Sequence, residues 1–270
     1  MWESQTFRSP SRRTLWVKPL AGGAMFDLPG IVAEQRLDVY TTLKAGGRAE
    51  YFYSARTRSE MANSAILAQE NGVVQTILGW GSNVLPSDNG VVGLVTLNQA
   101  AEIECDQSGF VEVDSGAGFQ DLFLKCAQAG LGGFEFAVGI PGTVGGALVS
   151  NAGAYRNNVS AFLIEIEVVE NGIREWRTPE FMKFEYRDSV LRQIDAPQIV
   201  LLAVRFQLES RKRKDIYDDA RDYQRQRIGK QPPSASCGSF FKNVVDHDLA
   251  QRIEGLSDGM RAAGVIPAGF

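Results

Sequence analysis

Histidine is almost missing. The 270-residue chain has one, His247, and only three cysteines, Cys105, Cys126 and Cys237. A single imidazole excludes a multi-histidine metal centre, and no metal site is expected. An odd number of widely spaced cysteines suits neither a disulfide framework nor a zinc site. Long apolar runs are lacking too. The longest strongly apolar run is Ile199–Val204, far short of the ~18 residues that a spanning helix needs. The first 25 residues hold Arg8, Arg12, Arg13 and Lys18 but no apolar stretch of signal-peptide length. The chain therefore reads as cytoplasmic, without membrane contact. An excess of positive charge is also absent: 28 Lys and Arg stand against 32 Asp and Glu, a net charge of −4. That argues against a nucleic-acid partner.

What is present is core material and glycine. Hydrophobic residues make up 44% of the chain, enough for a packed interior in about two domains. Residues 1–25 mix Ser, Pro, Arg and Gly without period and read as a poorly ordered extension. From Thr57 the pattern sharpens. Thr57 and Glu60 have the spacing of a capping box. A helix runs from there to about Asn71 and stops at Gly72. Val73–Leu78 and Val91–Leu97 read as short apolar strands, and Phe110–Asp114 alternates as a strand does. Phe119, Leu122, Phe123, Cys126 and Ala127 fall on one stripe of a helix ending at Gly130, which makes Cys126 a core residue. Leu163–Glu170 and Gln198–Leu208 read as longer strands. Strands with few crossover helices point to an α+β fold. Residues 211–230 hold eight Lys or Arg and four Asp, and read as a charged surface helix joining two domains. Pro232 and Pro233 break the chain after it.

Glycine is concentrated where chemistry is expected. Eight of the 24 residues from Gly130 to Gly153 are glycine. Their centre is Gly139-Ile140-Pro141-Gly142-Thr143-Val144-Gly145-Gly146. Without Cβ atoms, backbone N–H groups can converge on a phosphate or pyrophosphate. A Cβ branch at Gly142 or Gly145 would then block the backbone's approach to that anion. No Gly-Lys-Ser/Thr follows, so this is not a Walker loop. A purely structural glycine turn is the alternative. Gly79-Trp80-Gly81-Ser82-Asn83 is a second loop of the same kind, directly after a strand. Two such loops suggest one extended ligand with a pyrophosphate.

These residues carry a resemblance. Thr41-Thr42 with Gly46-Gly47, Leu78–Asn83, Gly139–Gly146 with Asn151-Ala152-Gly153-Ala154-Tyr155, Tyr186-Arg187-Asp188-Ser189 and Gly238–Asn243 stand in one order. From about Leu37 to Phe270 the chain resembles the UDP-N-acetylenolpyruvoylglucosamine reductase family. The resemblance implies a two-part flavin-binding unit of the vanillyl-alcohol-oxidase type, followed by a substrate domain. It divides the chain into an extension (1–30), two FAD-binding subdomains (31–98 and 99–209) and a substrate domain (210–270). It implies FAD, held noncovalently since the one His reads as a surface residue, and NADPH as electron donor. The reaction would be reduction of an enolpyruvyl UDP-sugar in peptidoglycan precursor synthesis, by a monomer. Gly79, Gly81, Ser82, Asn83, Gly139, Ile140, Pro141, Gly142, Thr143, Gly145, Gly146, Ala152 and Gly153 would contact FAD. Tyr186, Lys242 and Asn243 would contact the substrate.

Within the same resemblance, Arg187 would offer bidentate donors to the charge that builds toward the substrate carboxylate. Ser239 would deliver a proton to the carbon alpha to it, supported by Lys242 or a water. Cys237 has no nearby His or Asp and is not expected to be a nucleophile. Two positions depart from the family pattern: Trp80 and Arg156 stand where glycine is usual, and at Trp80 backbone freedom is expected to be lost. The chain stops at Phe270, at the start of a family helix motif, so the substrate domain reads as incomplete and the family's late catalytic Glu has no counterpart. The 52-residue interval from Arg187 to Ser239 fits the shorter-loop subfamily. A flavin-binding module without catalysis and a different oxidoreductase of the same fold remain alternatives.

Overall fold

The computed structural model describes residues 28–193, 198–228, 234–239 and 241–268. The extension up to residue 27 and the Pro232-Pro233 break lie outside them. Two sheets organise the chain. The first contains β1 (Val32–Arg36), β2 (Arg48–Ala55), β3 (Gln75–Leu78) and β4 (Val91–Asn98), in the order β1-β2-β4-β3. β1 and β2 are antiparallel, whereas β4 runs parallel to both β2 and β3. The second sheet is antiparallel throughout. It is built from β5 (Ile103–Cys105), β6 (Phe110–Asp114), β7 (Leu163–Glu170), β8 (Ile173–Arg177) and β9 (Val200–Gln207), in the order β8-β7-β9-β6-β5. The α+β class expected from the sequence is the class observed.

Local rules explain the helices. In α1 (Arg58–Glu70), the Thr57 hydroxyl accepts from Glu60 N at 3.1 Å. The Glu60 carboxylate reaches back to the amide of Arg56 at 2.6 Å, one residue before the cap. α1 ends as Gly72 takes φ +64° and the Val73 amide closes back on Ala68 O at 2.8 Å. That bond occupies Val73, so β3 begins at Gln75 rather than at Val73. α2 (Phe119–Ala129) buries the expected stripe, Phe119, Leu122, Phe123, Cys126 and Ala127, and ends at Gly130 with φ +77°. Burial pushes the Cys126 thiol up to about 12, which suits a core residue and not a reactive one. β9 starts at Val200, because the Gln198 carbonyl is taken by the Gln69 side chain at 2.7 Å.

The two sheets are tied together by α1. Met61, Ala62, Ala65 and Ala68 share one core with Tyr51, Tyr53 and Leu94 of the first sheet and with Val169, Val200 and Leu202 of the second. Above this core Arg58 bonds Asp114 and Glu112, both at 2.6 Å. Arg205 holds Glu112 from the other side at 2.8 Å. The charged segment forms α4 (Arg213–Ile228), with most of its surface exposed. Ile216 and Ala220 are nevertheless buried in the second core, beside Phe123 and Phe136. α4 is thus a packed part of that core and not only a connector. α3 (Val144–Val149) belongs to the site, and a small C-terminal group follows α4. The group consists of β10 (Val244–Val245) paired with β11 (Val265–Ile266), α5 (His247–Arg252) and α6 (Asp258–Ala263). His247 is exposed.

Candidate active site and cofactor cleft

The two glycine loops lie against each other. Ser82 Oγ donates to Pro141 O at 3.1 Å, and a Cβ on Gly142 would come within 2.8 Å of Ser82 Oγ. A Cβ on Gly79 would meet Thr143 Oγ1 at 2.7 Å. Gly81 has φ +62° and passes so close to Thr41 that a Cβ would stand 2.1 Å from Tyr40 O. Thr42 N completes that approach by donating to Gly81 O at 3.1 Å. Only glycine satisfies both the dihedral and the space at Gly81.

The loops differ in what their amides do. Among the described residues, the amides of Gly81, Ser82 and Asn83 donate to no protein group, nor do those of Gly142 and Thr143. The other amides of the second loop are engaged. Gly139 N donates to Gln120 Oε1 at 3.3 Å, Ile140 N to Ala137 O, Val144 N to Ala117 O and Gly145 N to Ser115 O. Gly146 N is capped by Thr143 Oγ1 at 3.2 Å. The expectation that Gly145 stays bare for an anion is corrected: a Cβ there would stand 2.9 Å from Ser115 O, so the glycine serves close backbone packing. Trp80 is not among the residues with positive φ, so the loop holds it in a conformation open to any residue. Arg156 does take a left-handed φ, +67°, the conformation that favours glycine.

Side-chain bonds pair the remaining motifs, and one set of them reaches the first loop. Asn83 Nδ2 donates to Cys237 O at 2.6 Å and to Ser239 O at 3.1 Å. Thr42 Oγ1 donates to Ser236 O at 2.6 Å. Lys242 Nζ pairs with Asp188 Oδ2 at 3.0 Å, and holds that carboxyl below its usual range. Lys242 therefore faces Asp188, where the sequence suggested support for Ser239. Arg187 Nη2 donates to Gly153 O at 2.8 Å, with φ +55° at the tip of a turn bridged from Glu185 to Asp188. Asn151 Nδ2 fixes the same turn through Glu185 O at 3.1 Å, and Ser189 Oγ fixes it through Val149 O at 2.7 Å. A non-glycine residue in the left-handed region costs about 1–3 kcal/mol and persists only where its surroundings hold it. Ser239 is exposed, and its hydroxyl has no partner among the described residues. Tyr186 is exposed, and Asn243 Oδ1 accepts from Ala268 N at 3.2 Å. Ala152 is buried behind Gly153.

Two groups of this site went unrecognised in the sequence. Tyr155 and Tyr223 stack with ring centroids 4.0 Å apart, and the Arg227 guanidinium lies 5.5 Å above the Tyr155 ring. Arg227 Nε is buried without a partner among the described residues, beside Gly139. The four-residue spacing of Tyr223 and Arg227 on one helix was the available signal. The second group is the wall formed by Trp80. It lines a cleft of about 420 Å³ with Tyr40, Lys44, Gly116, Gly118 and Asp121.

Residues 49–172 match the FAD binding domain family. UDP-N-acetylenolpyruvoylglucosamine reductase 1 of Bacillus cereus is 35% identical over 231 residues, covering 84% of this chain and 76% of that protein. The chain belongs to the UDP-N-acetylenolpyruvoylglucosamine reductase family. The Bacillus subtilis reductase is 34% identical over 230 residues, 83% of this chain and 74% of its own length. The crystal structure of the Thermus caldophilus reductase superposes with a TM-score of 0.65 at 30% identity, covering 88% of this chain and 86% of that one. Members of this family are FAD-containing oxidoreductases, and the chain uses FAD and NADPH. The residues present fit FAD. Both loops keep amides that donate to no protein group among the described residues, 81–83 and 142–143, and Ser82 Oγ bonds one loop to the other at Pro141 O, so a pyrophosphate beside them would find unpaired donors from each.

Proposed function

We propose that this chain reduces UDP-N-acetylglucosamine enolpyruvate to UDP-N-acetylmuramate at the expense of NADPH, as a cytoplasmic monomer serving cell-wall synthesis and so cell shape and division. No helix among the described residues is long and apolar enough to cross a membrane. The observation that carries the reading is the set of contacts that pairs the motifs, Asn83 with Ser239, Lys242 with Asp188 and Arg187 with Gly153. FAD, held by the paired loops, would supply the hydride chemistry that links NADPH to the terminal vinyl carbon of the substrate. The chain's own residues do the rest.

Hydride addition at one end of the enol ether shifts electron density toward the carbon alpha to the carboxylate. Arg187 is anchored through a single Nη, which leaves its other N–H donors for that carboxylate. The strained turn keeps the guanidinium at one position, so little reorganisation opposes the charge that develops. The proton that completes the reduction comes from Ser239 Oγ to the alpha carbon, and solvent restores it because Ser239 is exposed. Lys242 holds the Arg187 turn through Asp188, while Tyr186 and Asn243 border the substrate. Gly79, Gly81, Ser82, Asn83, Gly139, Ile140, Pro141, Gly142, Thr143 and Gly146, with Ala152 and Gly153, border the FAD, and Gly145 backs them by packing on Ser115.

Ser239→Ala tests this reading through its two half-reactions. Flavin reduction by NADPH involves no carbon protonation and should keep its rate. Reoxidation by the enolpyruvyl substrate should slow by about 10²–10⁴-fold. Arg187→Ala should slow the same step and weaken substrate binding as well. Stopped-flow traces in which Ser239→Ala impairs reduction instead, or neither step, would return Ser239 to an ordinary loop residue.

A further inference from the structure

The function above leaves Trp80 without a task. The residue is 48% exposed, and its side chain makes no hydrogen bond, ring pair or cation–π contact among the described residues. A large aromatic ring left half in water, on the wall of a cleft, is a surface waiting for a flat partner. The cleft has the volume of a small-ligand site, about 420 Å³. One edge of the indole already packs on the backbone of Gly118. A Cβ on Gly118 would lie 2.7 Å from Trp80 Cζ2 and Cη2, so a side chain there would displace the indole. Lys44 and Asp121 bring one charge of each sign to the same cleft.

The order of residues along the loop says which part of a dinucleotide comes here. Gly81, Ser82 and Asn83 present the unpaired amides that suit a pyrophosphate. On one side of them Asn83 holds Ser239, where hydride and proton transfer are placed. Trp80 stands on the other side, turned toward Gly118 and α2. A pyrophosphate between these points has the flavin toward Ser239 and its second nucleoside toward Trp80.

We propose that Trp80 is the stacking platform for the adenine of FAD, and that Lys44 and Asp121 border its ribose. This rests on the FAD reading of the paired loops. Trp80 thus gives the first loop an aromatic contact that strengthens cofactor retention. Stacking of a base on an aromatic side chain supports a change of about 5- to 100-fold in affinity.

The test compares FAD with FMN, which has the flavin and one phosphate but no adenosine. Apoprotein is titrated with each, for the natural chain, Trp80→Phe and Trp80→Ala. Trp80→Ala is expected to weaken FAD by about 5- to 100-fold and to leave FMN affinity within about twofold; Trp80→Phe is expected to keep most of the FAD affinity. ADP, which has no flavin, is expected to quench the tryptophan emission of the natural chain and not that of Trp80→Phe. Circular dichroism confirms that each variant is folded, and if Trp80→Ala is not, the Trp80→Phe and ADP titrations decide. Equal losses for FAD and FMN, unchanged FAD affinity in Trp80→Ala, or ADP quenching that survives in Trp80→Phe would each overturn the proposal. Failure of the natural chain to bind FAD at all would overturn the FAD reading, and the platform with it.

Discussion

Two loops of nearly the same composition are used in opposite ways. In the 79–83 loop, one glycine passes a carbonyl at a distance that no side chain allows, and the amides after it remain unpaired. In the 139–146 loop, more glycines are present, yet five of its amides are spent on Gln120, Ala137, Ala117, Ser115 and the Thr143 cap. Among the described residues, only Gly142 and Thr143 of this loop keep amides without a protein partner. Glycine therefore marks close approach of a backbone, and the thing approached can be a ligand or another strand of the same chain.

Three substitutions test that contrast. The largest effect is expected at Gly81. Valine there would need φ near +62° and a Cβ 2.1 Å from Tyr40 O, a combination worth more than ~4 kcal/mol. Purified Gly81→Val should contain no FAD after denaturing extraction; a folded variant with a full complement of FAD would erase the distinction between the loops. Gly145→Val comes next. Its Cβ meets Ser115 O at 2.9 Å, so the cost is overpacking, about 1–3 kcal/mol. The variant should unfold earlier in thermal scans, yet whatever fraction is folded should still bind FAD. A folded Gly145→Val that cannot bind FAD would show that this part of the second loop is a ligand cradle after all.

The smallest effect comes from a site away from both loops. Arg58→Met removes the bond from α1 to Glu112 and Asp114, and leaves buried Asp114 without its cation. Arg58 keeps about a fifth of its side chain in water, so about 1–2 kcal/mol is expected at pH 7, with FAD affinity unchanged. Acid titration gives the sign. Burial alone would push the Glu112 carboxyl up, but the bonds from Arg58 and Arg205 outweigh it and hold the group below its usual 4.5. A carboxylate depressed in the folded state contributes stability above 4.5, and that contribution disappears as pH falls through the lower folded value. Loss of Arg58 should thus make the acid limb of the stability curve shallower below pH 4.5. An unchanged limb in chemical denaturation series would mean that Arg205 alone sets Glu112.

Near-neighbour patterns were legible in the sequence. The box from Thr57 to Glu60, the stripe from Phe119 to Ala127 and the stop at Gly130 depend on residues a few positions apart, so periodicity and capping chemistry were enough to place α1 and α2. The motif order was equally legible, and it pointed to the right family. Tertiary structure alone decided which groups are free and which are spent. Asn83 meets Ser239 across 156 positions, Lys242 finds Asp188 across 54, and Arg187 leans on Gly153 across 34. The same is true of the Gly145 amide, spoken for by a carbonyl thirty residues earlier, and of Trp80, whose ring acquires a cleft only when Gly118 is brought opposite. A residue's type states what it can donate or accept. Whether that capacity is left for a ligand depends on which distant backbone the packed core places beside it, and no local pattern encodes that.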